Sequence, residues 1–252
     1  MRRLYYDLHI HSALSPCADD DNTPNNILGM ASLAGIDILA LTDHNTAKNC
    51  PAFFAAAEKF GITAIAGMEL TTSEDIHVVC LFEHLEDALR FDGELDAYRT
   101  RVANRPEIFG RQLIMDEEDE ITGELPDLLS FATAISIEDV GRIVGSFGGV
   151  CYPAHIDRES NGIIATLGTF PKSIGFTMAE LHDGSRIGEY AERYGLTDLR
   201  FIVSSDAHYL TDIRDKEHFF ELPASAVTPD EIRRELFILL RRDNEGTIPE
   251  HT

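Results

Sequence analysis

Apolar positions recur along the chain in short runs separated by amphipathic stretches. The runs fall at 4–10, 36–41, 62–66, 76–82, 149–153, 176–181 and 200–204, each of a length suited to one strand. Ile36 to Leu41 is continuous, as a strand buried on both faces requires. Thr23-Pro24 opens the first helical stretch as an N-cap followed by proline, with Ile27, Met30, Ala31 and Ala34 on one face and Gly35 as its stop. Helices are also expected over 48–60, closed by Gly61, onward from Leu85, over 137–146 and over 185–194. Thr228-Pro229-Asp230-Glu231 reads as the N-cap, proline and acidic first turn of a closing helix. This βαβα alternation predicts an α/β chain with a parallel sheet or barrel. It is interrupted at 92–130, where Arg99, Arg101, Arg105 and Arg111 precede the acidic run Asp116 to Glu120. That stretch is read as an insertion, helical in part, packed over one end of a single domain spanning 1–252. No Gly-x-Gly-x-x-Gly follows the first strand and no phosphate-loop lysine motif is present, so the two common nucleotide-binding signatures are missing.

Composition narrows the class. Of 252 residues, 44% are hydrophobic and 26% charged, a globular profile that excludes a disordered chain. Asp and Glu number 44 against 21 Lys and Arg, a formal charge of −23. A sequence-independent electrostatic grip on nucleic acid is therefore not expected. Cys17, Cys50, Cys80 and Cys151 are scattered without Cys-x-x-Cys spacing and fit reduced thiols. Arg2-Arg3 is followed by no apolar stretch before Asp7, and no window approaches the roughly 18 apolar residues of a membrane span. A cytoplasmic protein without membrane contact is expected.

The candidate chemistry lies at the strand ends. His9 and His11 stand two apart at the end of the first strand, where period-two geometry points both side chains one way. Thr42-Asp43-His44 ends the second strand, Gly67-Met68-Glu69 the third and Pro153-Ala154-His155 the fifth. His77 opens the fourth, and Ser205-Asp206-Ala207-His208 ends the seventh. In a β/α barrel the carboxyl ends of the strands form the active-site face. Buried imidazoles and carboxylates are costly there unless paired or bound to metal. One of Asp19, Asp20 and Asp21 is expected to join them from the first loop, with Cys17 in the same stretch. Imidazoles mixed with carboxylates suit Zn, Mn or Fe better than Mg or Ca. A carboxylate bridging two such ions would hold a hydroxide for attack on a phosphoester.

The segments Asp7-Leu8-His9-Ile10-His11-Ser12, Leu41-Thr42-Asp43-His44, Gly67-Met68-Glu69, His77, Pro153-Ala154-His155 and Ser205-Asp206-Ala207-His208 together resemble the PHP (polymerase and histidinol phosphatase) superfamily of metal-dependent phosphoesterases. The resemblance covers nearly the whole chain outside 92–130. It implies a distorted (β/α)7 TIM-like barrel and a cleft with two or three divalent ions. It further implies that His9, His11, Glu69 and Asp206 bind one ion, that Glu69 bridges to a second completed by His77 and His155, and that Asp19, His44 and His208 hold a third. The stretch Ser15-Pro16-Cys17-Ala18-Asp19 looks longer than the common family form. Asp206 and His208 are expected to serve catalysis, with Arg158 as a phosphate clamp and His182 as a supporting residue or proton donor. Arg101, Arg105, Arg111 and Lys172 are candidates for the substrate entrance; His84, His218 and His251 are given no role. With no polymerase region, the chain is expected to be a stand-alone trinuclear phosphatase acting on a small phosphomonoester, nucleotides included. The alternatives are a 5'-3' exonuclease or oligonucleotide phosphodiesterase, a histidinol-phosphate phosphatase, and a non-catalytic binding module stabilised by metal.

Overall fold

The computed structural model describes residues 1–241, so His251 and the end of the 1–252 span lie outside the described residues. Strand β1 (Arg2–Ile10) leads into α1 (Pro24–Ala34). The Thr23 side chain accepts the Asn26 N–H, and Gly35 closes α1 in the left-handed region at φ 79°, returning its N–H to the last turn. Then come β2 (Ile38–Leu41), α2 (Cys50–Phe60), β3 (Thr63–Thr71), β4 (His77–Phe82) and α3 (Leu85–Leu95), the helix expected onward from Leu85.

 The helix α3 spans Leu85–Leu95 and buries Ala88, Phe91 and Leu95. It is followed by α4 (Pro106–Phe109), β5 (Leu113–Met115), β6 (Ile121–Glu124), α5 (Val140–Ser146), β7 (Val150–Pro153), α6 (Ile163–Leu167), β8 (Met178–Leu181), α7 (Ile187–Tyr194), β9 (Arg200–Val203), β10 (Phe219–Leu222) and α8 (Pro229–Leu240). The closing helix starts as its sequence predicts: Thr228 and Glu231 form a reciprocal capping box.

The fold is mixed α/β, and its main sheet has the order β10-β1-β2-β3-β4-β7. β1 pairs parallel with β2, and β2 with β3, but β4 runs antiparallel to both β3 and β7. The expectation of a parallel sheet therefore fails at β4. Strand β3 does not stop at 66 but continues to Thr71, and a tight turn closed by Thr72 N–H to Ile76 O at 2.8 Å returns the chain at once. So short a connection makes a hairpin; a parallel crossover needs a dozen or so residues. The reversal explains why His77 opens its strand and still arrives where the parallel strands end.

β8 and β9 form a separate parallel pair. Ile156 N–H reaches Glu180 O at 2.8 Å on one side of the pair. On the other, Ile10 and Ala207 form an isolated parallel bridge and Leu8 N–H reaches Ser204 Oγ at 3.3 Å. The strands thus curl so that β9 comes back beside β1, with the ladder interrupted on both flanks of the β8–β9 pair. Inside the curl, Leu4, Tyr6, Leu8, Ile38, Ile65, Tyr152 and Ile202 pack with Leu236 and Phe237 of α8. Outside it, Ile27, Phe53, Phe82, Phe91 and Val144 fill the space between sheet and helices. Residues of 92–130 make a two-stranded β5–β6 hairpin and bind the loops at one end of the sheet: Leu113 N–H to Ala13 O at 2.9 Å, and Asn49 Nδ2 to Leu113 O at 3.0 Å. Among the described residues no helix is long and apolar enough to cross a membrane.

Candidate metal centre and cleft

The register of β1 against β2 shifts between Asp7 and Ile10. Such an irregularity re-aims side chains where a strand meets a site. His9 turns to Glu180 of β8, and His9 Nε2 lies 3.1 Å from His11 Nε2. Three of the neighbouring residues hold non-glycine backbones at positive φ: Asn45 at 51°, His155 at 27° and Asp206 at 51°. Conformations of this kind persist where surrounding structure enforces them, and they gather at functional sites.

Glu69 is the centre of the arrangement and is 1% exposed. Its Oε1 lies 2.8 Å from His77 Nδ1, 3.1 Å from His155 Nε2 and 3.3 Å from His9 Nε2. Its Oε2 lies 2.9 Å from His44 Nδ1 and 3.4 Å from His11 Nε2. Asp206 Oδ1 is 3.2 Å from His11 Nε2 and 3.3 Å from His9 Nε2. Three groups of side chains bring their ligand atoms within 4.8 Å of one another: His9, His11, Glu69 and Asp206; His44, Glu69 and His77; and His11, His44 and His208.

The hydrogen bonds around this ring fix where the protons sit. His9 Nδ1 faces Glu180 Oε1 at 2.9 Å, and a carboxylate there requires the N–H. Ser15 Oγ donates its one proton to Asp43 Oδ1 at 2.7 Å and accepts the His44 N–H at 3.1 Å, so toward His11 Nδ1 at 2.9 Å it is an acceptor and the imidazole donates. In the neutral tautomers both Nε2 lone pairs then face each other and two carboxylates, with no proton between them. That set fits a cation. His44 Nδ1 and His155 Nδ1 are buried without a hydrogen-bond partner, although the former lies close to Glu69.

The titration behaviour follows the same logic. Burial disfavours charge on His9, but Glu180, Asp206 and Glu69 outweigh it and raise its pKa well above the ordinary value. Burial favours the neutral acid at Glu69, yet His77, His9 and His44 hold it well below the usual carboxylate range. Asp206 is also lowered, against its burial, by His9 and His11. Burial raises Asp7 to about 6 despite the Ser205 and His9 amides. A proton thus does at His9 what a bound cation would do for the whole ring.

Asp19 is not drawn into any of these groups. Its Oδ1 accepts the Asp21 N–H at 2.9 Å, its own N–H binds His208 O at 3.0 Å, and Asp20 and Asp21 are exposed. Cys17 approaches the ring at His44 instead. Its Sγ lies 3.1 Å from His44 Nε2, although the residue as a whole is exposed. Burial of the thiol raises its pKa, but the His44 imidazole and hydrogen bonds with His208 and His44 bring it down to about 6.

The ring floors a cleft of about 290 Å³ lined also by Ser130, Arg158, Ser160 and Asn161. Arg158 Nη1 donates to Asp206 Oδ2 at 2.6 Å and Nη2 to His182 Nδ1 at 3.1 Å. Arg214 donates to His182 Nε2 at 2.8 Å and to His182 O at 2.7 Å. Burial, then Arg158 and Arg214, push the His182 pKa down, so this imidazole is neutral at pH 7 and acts as an acceptor. Arg101, Arg111 and Lys172 are paired elsewhere, with Asp127, Glu124 and Asp198, and Arg105 lies over Phe109. None of these four lines the cleft. Glu180, Ser15, Ser130 and Arg214 belong to the site's surroundings and were not singled out by sequence. Glu180 left one trace, a lone acid in the apolar strand Met178–Leu181.

The PHP domain family model matches residues 7–127. The matched span holds His9, His11, His44, Glu69 and His77, while His155, Asp206 and His208 lie beyond it. A 5'-3' exoribonuclease from Haemophilus influenzae is 37% identical over 79 residues, covering 30% of this chain and 28% of that protein. The chain spans less than half the length of the curated relatives it matches. The lesion-specific endonuclease Q of Pyrococcus furiosus superposes with a TM-score of 0.64 at 18% identity, over 92% of this chain and 55% of that one. A Bifidobacterium adolescentis protein assigned as a metal-dependent phosphoesterase gives 0.54 at 17% identity, over 92% and 96% of the two chains. At these identities the two structures speak for the fold alone.

Proposed function

We propose that the chain is a PHP-type metal-dependent phosphoesterase hydrolysing a small phosphomonoester, nucleotides included, a reading supported by the PHP domain match over residues 7–127. The curl of β1, β2, β3, β4, β7, β8 and β9 is read as a distorted barrel with its active-site mouth at the Glu69 ring. The observation that carries the reading is the meeting of His9 Nε2 and His11 Nε2 at 3.1 Å beside Glu69 and Asp206, with the outer ring protons committed to Glu180 and Ser15. His9, His11, Glu69 and Asp206 would hold one ion, and Glu69, His77 and His155, with His44 beside them, a second. Bound divalent ions supply Lewis acidity for the phosphoryl oxygens and lower the pKa of water to near neutrality.

The chain's own residues position the substrate. Arg158 is the one guanidinium among the cleft-lining residues, and its fork suits phosphate oxygens. His182 faces guanidinium donors at both ring nitrogens, while a neutral imidazole accepts at only one. A phosphate is the better acceptor for this pair of arginines, so Arg158 is poised to exchange Asp206 and His182 for substrate. The relative among exoribonucleases favours a second reading, hydrolysis of short oligonucleotides.

A nucleoside monophosphate, a 3',5'-bisphosphate and an end-labelled oligonucleotide, assayed side by side with Mn or Zn, separate the two. Release of phosphate from the monoester, abolished by chelator and restored by metal, is expected. No turnover across such a panel with ions demonstrably bound would overturn the enzymatic reading and leave a metal-stabilised binding module.

A further inference from the structure

We propose that the Cys17 thiolate, and not a carboxylate of Asp19 to Asp21, completes a metal site with His44 and His208. The inference rests on the metal-centre reading above and concerns the composition of its third ligand group. Three features carry it. Cys17 Sγ lies 3.1 Å from His44 Nε2, and Cys17 lines the same cleft as His44 and His208. His208 Nδ1 faces the Asp206 carbonyl at 2.9 Å, which fixes its proton there and leaves Nε2 bare. Independently of the cysteine, His11, His44 and His208 gather their nitrogens within 4.8 Å, and the His44 side chain is only 5% exposed. Asp19 stands in none of the ligand groups gathered here, and its Oδ1 takes the Asp21 N–H in a turn of its own.

The loop is built to hold the sulfur where it is. Ala18 N–H binds Ser15 O at 3.0 Å, and Ser15 Oγ accepts the His44 N–H at 3.1 Å, tying the cysteine's turn to the residue it faces. From outside, Gly110 packs its bare α-carbon against this loop at φ 96°; a β-carbon there would come within 2.0 Å of Pro16 O. The 92–130 segment thereby braces the Cys17 turn without contributing a charge to the ring. Two imidazoles and a thiolate make a softer set than two imidazoles and a carboxylate. The site should select Zn or Fe over Mg, and it should become sensitive to thiol-directed reagents when empty.

Binding, not hydrolysis, tests this. The full chain, stripped of metal and titrated with Co(II), is expected to develop a near-ultraviolet sulfur-to-cobalt charge-transfer band. Cys17→Ser should lose the band and bind one ion fewer per chain, while Asp19→Asn keeps both. The remaining cysteines are all present in Cys17→Ser, so they cannot account for the loss. As a measurement that needs no variant, Zn should slow alkylation of Cys17 in the wild-type chain by about tenfold or more. Ions bound without the band and without protection, or an ion lost from Asp19→Asn but kept by Cys17→Ser, would overturn the assignment alone. A wild-type chain that binds no ions overturns the metal centre and this ligand together.

Discussion

Glu69 and Asp206, at the mouth of the curl, and Arg101 and Arg111, in the 92–130 segment, are charged side chains in opposite circumstances. The two carboxylates have side-chain exposures of 1% and 3% and converge on imidazoles supplied by several strand ends. The two arginines are 64% and 45% exposed and are answered by exposed acids nearby, Asp127 and Asp96 for Arg101 and Glu124 for Arg111. A buried charge must be met by partners or by an ion, so its surroundings report a function. An exposed pair is screened by water and worth little. Residue type alone, therefore, does not mark a site; convergence under burial does.

The sharpest way to break this contrast is Glu69→Ala. It removes the one carboxylate that touches His9, His11, His44, His77 and His155. Metal content is expected to fall and phosphoesterase turnover to drop by roughly a thousandfold or more, since in the proposed function the ions carry the chemistry. Elemental analysis alongside phosphate release checks it. Turnover within tenfold of wild type would mean the ring is structural.

Next is the cost of burying a carboxyl that no imidazole answers. Asp7 has its pKa raised from 3.8 to about 6, chiefly by burial. The folded state then holds this proton more tightly than the unfolded chain. The stability it contributes is full below the unfolded pKa and is lost as pH rises through 6, by about 3 kcal/mol in all. In metal-free protein, urea unfolding of Asp7→Asn between pH 4 and 7 should lack that decline relative to wild type. Parallel curves for the two proteins would remove Asp7 as its source.

How far these surroundings were legible depended on range. Helix caps at Thr23, Gly35 and Thr228 are local chemistry and read directly from neighbours in the chain. His9, His11, Glu69, His77 and Asp206 stood out because polar residues at the ends of apolar runs are anomalous wherever those ends are buried. The direction of β4 was not legible, since an antiparallel strand shows the same apolar run as a parallel one. Asp19 and Cys17 lie two residues apart, and only the turn between them decides which side chain faces His44. Arg214 meets His182 across 32 positions, and no periodicity connects them.

Glu180 gives a smaller and more selective effect. It holds the His9 Nδ1 proton at 2.9 Å and also accepts the His155 N–H at 3.1 Å. Glu180→Gln keeps the shape but can present an amide instead of an anion, so His9 is less firmly oriented. Metal affinity is expected to weaken by about 10–100-fold, as for other residues that orient a metal-binding histidine. Competition against a chromophoric chelator measures it. An unchanged affinity would show that strand packing alone orients His9.

The smallest effect is expected on the other side of the comparison. Arg101→Ala and Arg111→Ala break only exposed pairs and leave nothing buried unpaired. Their unfolding free energies should shift by no more than about 0.5 kcal/mol, and monoester turnover should hold. The informative case is the double variant on a labelled oligonucleotide. If the segment only braces the Cys17 loop, through Gly110 against Pro16, cleavage of the longer substrate is unaffected as well. If the arginines instead leave Asp127 and Glu124 to follow a phosphate backbone, the double variant loses oligonucleotide cleavage but not monoester turnover, and the loss shrinks as salt rises. That result would make the exposed charges part of the substrate surface, and would place function on both sides of a boundary that burial alone draws too sharply.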